Sequence, residues 1–196
     1  MEANELARFL KRYTRQAHHR VDQHPKLKPL MQAELDLDHY ARALAALYPA
    51  VSWLEQWVTQ ALDAFALAYP VVPRAPLLAA DIAALGLTSS GKAEAFLSPP
   101  MIGVPATKAR VLGALYVLEG SRLGGDMIAH HVHQRLGSAA PMRFFTAPHP
   151  LGDDFWQVFW CFAVAKCPPH EWGSMGEGAL HTFDTFNAML SPAPRE

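Results

Sequence analysis

Val111-Leu-Gly-Ala-Leu-Tyr-Val-Leu-Glu-Gly-Ser-Arg-Leu-Gly-Gly-Asp-Met-Ile-Ala129 is the stretch on which the reading of this chain turns. Leu112, Leu115, Leu118, Met127 and Ile128 recur at helical spacing, which predicts a buried helix. Gly120, Gly124 and Gly125 cluster inside that pattern, with Gly113 two turns earlier. An interior glycine costs a helix about 1 kcal/mol relative to alanine, so the three clustered ones cost roughly 2–3 kcal/mol. Gly120 and Gly124 share one face, and Ser121 and Gly125 stand beside them, which leaves a smooth surface with a single small hydroxyl. Two readings of that surface stay open on this stretch alone. One is close helix packing or a kink at the paired glycines. The other is a wide, flat ligand lying against the helix backbone.

Composition narrows the function classes. The chain has 196 residues, enough for one domain with a substantial core, and a formal charge of -1 that disfavours nucleic acid or an anionic membrane as the main partner. The start, Met-Glu-Ala-Asn-Glu, lacks the basic and apolar regions of a signal peptide, and no run of uncharged apolar residues reaches membrane-spanning length. Cys161 and Cys167 form neither a Cys-x-x-Cys motif nor a disulfide framework. A cytoplasmic protein with two reduced cysteines and no membrane segment is expected.

Outward from the glycine-bearing segment, the chain reads as helices throughout. Asn4 is positioned to cap a first helix over about 5–23, with Leu6, Leu10, Tyr13, Ala17 and Val21 as its apolar stripe. A second helix is expected from about Asp36 or Leu37 to about Tyr69, bent or restarted at Pro49. Short helices follow over 77–85 and 90–97, then a proline-rich loop over 98–105. The glycine-bearing helix covers about 106–136 and is closed by Gly137. Two more helices are expected over about 152–166 and 172–190. Strand periodicity and hairpin turns are missing. The expectation is an all-α fold, with 1–196 as a single domain.

Three constellations carry chemistry. On the first helix Lys11, Thr14, His18 and Asp22 line one strip, and the i,i+4 pair His18 and Asp22 puts an imidazole and a carboxylate together. A carboxylate beside a ligating histidine fixes its tautomer, and Lys11 can meet an anionic ligand edge. A solvated amphipathic face explains the same spacing. His130, His131 and His133 suit the C-terminal end of a helix dipole and lack a Glu-x-x-His companion. Trp156, Phe159, Trp160, Phe162, Phe183 and Phe186 serve either as core or as walls of an apolar cavity.

Two of these stretches together resemble the heme oxygenase family, particularly its bacterial branch. They are Thr14-x-x-x-His18-x-x-x-Asp22 and Tyr116-Val-Leu-Glu-Gly-Ser-Arg-Leu-Gly-Gly125, the second similar to the form in heme oxygenases that accompany bacterial phytochromes. Weaker similarity runs over most of 5–190, through Trp156-x-x-Phe159 and Phe183-x-x-Phe186. The resemblance implies heme held between a proximal N-terminal helix and a kinked glycine-bearing distal helix. It implies His18 as iron ligand with Asp22 behind it, and Lys11 and Tyr116 as propionate contacts. Gly120, Ser121, Gly124 and Gly125 would be the distal floor, with Gly120, Ser121 and Gly124 at the reacting centre. It further implies oxidative cleavage of heme, as substrate and cofactor together, to biliverdin, carbon monoxide and iron. Dioxygen and electrons from a ferredoxin or reductase would be consumed. The helix over 152–166 has Lys166 as its only basic residue, at its end, so Arg122 is the expected substitute propionate partner. The rivals are a heme carrier of the same fold, a thiaminase-II-like hydrolase or di-iron carboxylate protein, and a helical interaction module. The hydrolase lacks a cysteine on either functional helix, and the di-iron reading lacks Glu-x-x-His pairs.

Overall fold

The helical spacing of the apolar residues is realised along the chain. The computed structural model describes residues 2–87 and 106–190. It contains α1 (Glu2–Asp22), α2 (Leu37–Ala64), α3 (Ala75–Ala84), α4 (Lys108–Leu136), α5 (Phe155–Lys166) and α6 (Trp172–Leu190), with no strand among the described residues. The expected helix over 90–97 and the loop over 98–105 lie outside the described residues. No helix among those described is long and apolar enough to cross a membrane.

Several boundaries differ from expectation for local reasons. α1 already runs from Glu2, so Asn4 lies inside the helix rather than capping it. α2 is uninterrupted at Pro49, because both halves are pinned by packing: Tyr40, Leu44 and Leu47 in one apolar cluster, Trp53, Leu54 and Val58 in another. It stops at Ala64 rather than near Tyr69. Ala66 takes a left-handed φ of 51°, and the Leu67 N–H reaches back to the Leu62 carbonyl at 2.8 Å, a helix stop that usually uses glycine. α4 begins after Thr107, whose side chain accepts from the Arg110 N–H, and ends at Gly137 with φ 59°. α5 starts at Phe155, after a 3₁₀ turn over Gly152–Asp154.

α6 is the element on which the others are seated, packing against α1, α2 and α4. Glycine makes two of these contacts possible. A Cβ on Gly113 of α4 would overlap the Met175 carbonyl oxygen and lie 2.6 Å from the Ala179 nitrogen; one on Gly178 of α6 would overlap the backbone of Arg110. Gly176 gives α1 its place, since a Cβ there would sit 2.7 Å from the Tyr13 ring. Ion pairs brace both contacts from outside, Arg110–Glu177 at 2.8 Å and Arg20–Asp184 at 2.6 Å, each too exposed to add much stability.

Gly120 and Gly124 differ in kind from Gly113. A Cβ at Gly124 would meet nothing within 4 Å, and one at Gly120 would meet only the Trp156 ring edge, at 3.6 Å. Among the described residues, close packing therefore explains Gly113 and asks for glycine at neither Gly120 nor Gly124. Gly113→Ala should lower Tm by the equivalent of about 1–3 kcal/mol or more through overpacking. Gly124→Ala should raise it by about 1 kcal/mol through helix propensity. Thermal melts of the two variants against the parent give the two signs directly.

Candidate ligand-binding face

The α1 strip is assembled as a pair at its C-terminal end. His18 Nδ1 lies 2.8 Å from Asp22 Oδ2, with both side chains more than half exposed, at 62% and 53%. The hydrogen bond that His18 donates to Asp22 raises the imidazole's proton affinity above its ordinary value, and partial burial opposes that rise. A proton held on Nδ1 leaves the Nε2 lone pair as the donor end of the ring. The ring itself stands edge-on to Phe183 of α6 at 5.6 Å between centroids, which fixes its plane. Lys11 is exposed, and falls within about 40° of His18 and Asp22 around the helix.

On α4 the exposed surface around the glycines is apolar. Leu123 and Met127 are 41% and 64% exposed, and at 100° per residue they fall on the same side of the helix as Gly120 and Gly124. Trp156 of α5 borders Gly120 and packs with Tyr116, Phe159 and Trp160. Gly125 points elsewhere: a Cβ there would meet the Phe145 carbonyl at 3.4 Å, so this glycine is a packing residue on the inner side. Tyr116 is half-buried, and the hydroxyl of Thr14 on α1 donates to the Leu10 carbonyl at 2.8 Å. Burial raises the Tyr116 phenol above its ordinary value, with Thr14 opposing the rise.

The expectation for Arg122 is corrected. It is 7% exposed, its guanidinium donates to the Val72 carbonyl at 2.9 Å, and its Nε lies 3.5 Å from Glu119 Oε2. Both its position on the inner side of α4 and its partners withdraw it from any ligand at the glycine face. His130 and His131 are likewise engaged, with Gln134 and the Gln32 carbonyl respectively, and no grouping of metal-ligating side chains occurs among the described residues.

A buried polar cluster behind α4 was not anticipated. Glu55 accepts from the Arg74 and Ala75 backbone N–H groups at 2.8–2.9 Å and so caps α3. Arg74, 2% exposed, passes over the Phe144 ring at 4.8 Å and donates from Nη2 to Ser121 Oγ at 2.6 Å. Glu119 is fully buried, with His149 Nε2 at 3.2 Å, an approach too poorly aligned to be a hydrogen bond. Burial pushes the Glu119 carboxyl up to about 7 despite Arg122 and Arg74, and pushes His149 down to about 4, helped by the same two guanidiniums. The sequence signal for the cluster was one acidic residue inside an apolar run, Val117-Leu-Glu119.

These two shifts act oppositely on stability. Glu119 binds its proton more tightly folded than unfolded, so its contribution is present below 4.5 and lost as pH rises through about 7. His149 binds its proton less tightly folded, so its contribution is present above 6.5 and lost as pH falls through about 4. Between 4.5 and 6.5 the slopes cancel. Glu119→Gln should therefore make Tm climb with pH across that window where the parent stays flat, read by calorimetry at a series of pH values. Glu119→Leu, which leaves Arg122 buried and unpaired, should lose about 3–5 kcal/mol.

A family model described as heme oxygenase matches residues 4–192. No curated protein matches the chain.

Proposed function

This chain belongs to the heme oxygenase family, and we propose that it cleaves heme oxidatively to biliverdin, carbon monoxide and iron. The observation that carries the reading is the contrast among the glycines of α4. Gly113 and Gly125 face neighbouring backbone, whereas Gly124 faces open space and Gly120 only the edge of the Trp156 ring, both flanked by exposed Leu123 and Met127. An apolar, flat partner gives those two glycines their reason.

The residues present suit heme. His18 offers Nε2 with its tautomer set by Asp22, the arrangement that makes an imidazole a good iron ligand. In this reading His18 holds the iron from α1, and Gly120, Ser121 and Gly124 form the opposite wall. Lys11 meets one propionate, and Tyr116 offers a phenol to the other. Arg122 takes no part. Bound heme would supply the iron that takes up dioxygen and the ring carbon that is oxidised. The chain contributes orientation of the disc, exclusion of bulk at the glycine face, and placement of water by Ser121. Among the described residues no buried side-chain acid opens directly onto that face, and in this reading protons arrive through water. Electrons come from an external ferredoxin or reductase. The Tyr116–Gly125 motif supports the bacterial branch, with biliverdin supplied as pigment to a phytochrome-type photoreceptor, in the cytoplasm and as one domain.

One titration tests this. Hemin added to the chain should give a sharp Soret band, and ascorbate or ferredoxin with its reductase in air should convert it to the broad red absorption of biliverdin. His18→Ala should abolish the sharp band, and Asp22→Asn should weaken hemin binding about 10–100-fold. A band that forms and persists under reductant would make the chain a heme carrier instead, and an unchanged band in His18→Ala would remove His18 as the ligand.

A further inference from the structure

The Ser121 hydroxyl has a fixed polarity. Its proton is committed, since Oγ donates to the Leu118 carbonyl at 2.6 Å, and one of its two lone pairs is committed to Arg74 Nη2, also at 2.6 Å. A hydroxyl has one proton and two acceptor positions, so a single lone pair remains. Ser121 is an exposed residue beside Gly124, and that lone pair is what it offers outward. Arg74 enforces the arrangement because it has little freedom of its own. Its backbone is tied to Glu55 by a two-pronged hydrogen bond at 2.8 and 2.9 Å, and its guanidinium lies on the Phe144 ring.

We propose that Arg74 is a positioning residue for the glycine-lined face, turning Ser121 into a pure hydrogen-bond acceptor there, so that the group taken at Ser121 is a neutral donor, namely water. This rests on the reading of that face as the distal wall of a heme site. Water donating one proton to Ser121 has its second proton free to point along the face, toward whatever binds next to it. Ser121 itself then donates nothing to a bound group. An anion or dioxygen-like acceptor on this face is served by the oriented water and not by the serine. The orientation is remote-controlled, since Arg74 touches neither the face nor the ligand.

Two measurements decide it. A high-resolution crystal structure of the hemin-free chain should show an ordered water within hydrogen-bond distance of Ser121 Oγ, retained in Arg74→Lys and lost in Ser121→Ala. A serine turned away from Arg74, or one with no water at that lone pair, overturns the proposal. In the hemin-loaded chain, fluoride serves as an axial probe that rewards hydrogen-bond donors. Its affinity should fall about tenfold in Ser121→Ala and by a similar factor in Arg74→Met. It should fall no further in the double variant, and should recover in Arg74→Lys. An Arg74→Met protein with the parent's melting profile and the parent's fluoride affinity would show that Arg74 does not set what Ser121 accepts and refute the proposal. Absence of any Soret band in the parent would count against heme as the ligand, while the hemin-free structure would still decide the role of Arg74.

Discussion

Where Gly113 of α4 meets Met175 and Ala179 of α6, two helix backbones touch with no side chain between them. Gly178 of α6 makes the reciprocal contact against Arg110, so the approach is glycine-enabled from both sides. Such a contact has almost no tolerance, because neither backbone can yield by a rotamer change. Its consequence is positional. α6 also seats α1 through Gly176 and Tyr13, so the separation of α1 from α4 is set by the thickness of one helix and its glycines. His18 is carried by α1 and steadied by Phe183 of α6; Gly120 and Gly124 are carried by α4. The two candidate walls of the ligand site are thus referenced to the same rigid element.

Charge is handled differently on the two sides of α4. Outward, the helix shows glycines, Leu123 and Met127, with the single hydroxyl of Ser121. Inward it buries Glu119 and Arg122, which together with Arg74, Glu55 and His149 join the connector before α3, the loop before α5 and α4 itself. Replacing this cluster by apolar side chains of similar volume need not destabilise the chain, since buried ion pairs often contribute little net stability. Its value lies in specifying how two irregular segments dock on α4. Arg74 is the member that contacts the outer face's one hydroxyl, from behind, through Ser121.

Much of this was legible from residues alone, for physical reasons. The all-α fold followed from unbroken helical spacing, and α6 came out at its expected limits because Pro168, Pro169 and the apolar stripe bracket it. The His18–Asp22 pairing followed from i,i+4 geometry, which depends on no tertiary contact. Other features were hidden because they depend on partners far away in the chain. Pro49 reads as a helix breaker locally, yet α2 continues through it under packing from two clusters. Ala66 occupies a left-handed turn that the sequence marks with no glycine. Arg122 reads as an exposed helix residue until Glu119 and Val72 are seen to enclose it. The four glycines of α4 look alike in sequence and divide only when their neighbours are known: Gly113 and Gly125 against backbone, Gly120 against a ring edge and Gly124 against open space.

That division leaves a historical record in the helix. Gly113 would be kept by any descendant that folds this way, whatever it does. Gly124, by contrast, sits where a methyl group collides with nothing and where alanine is the better helix former. Drift under selection for folding alone would fill that position first, since stabilising changes at sites freed from function accumulate readily. If the open face of α4 is the wall of a ligand site, a lineage that abandoned the ligand should lose the glycine at 124 while keeping the one at 113.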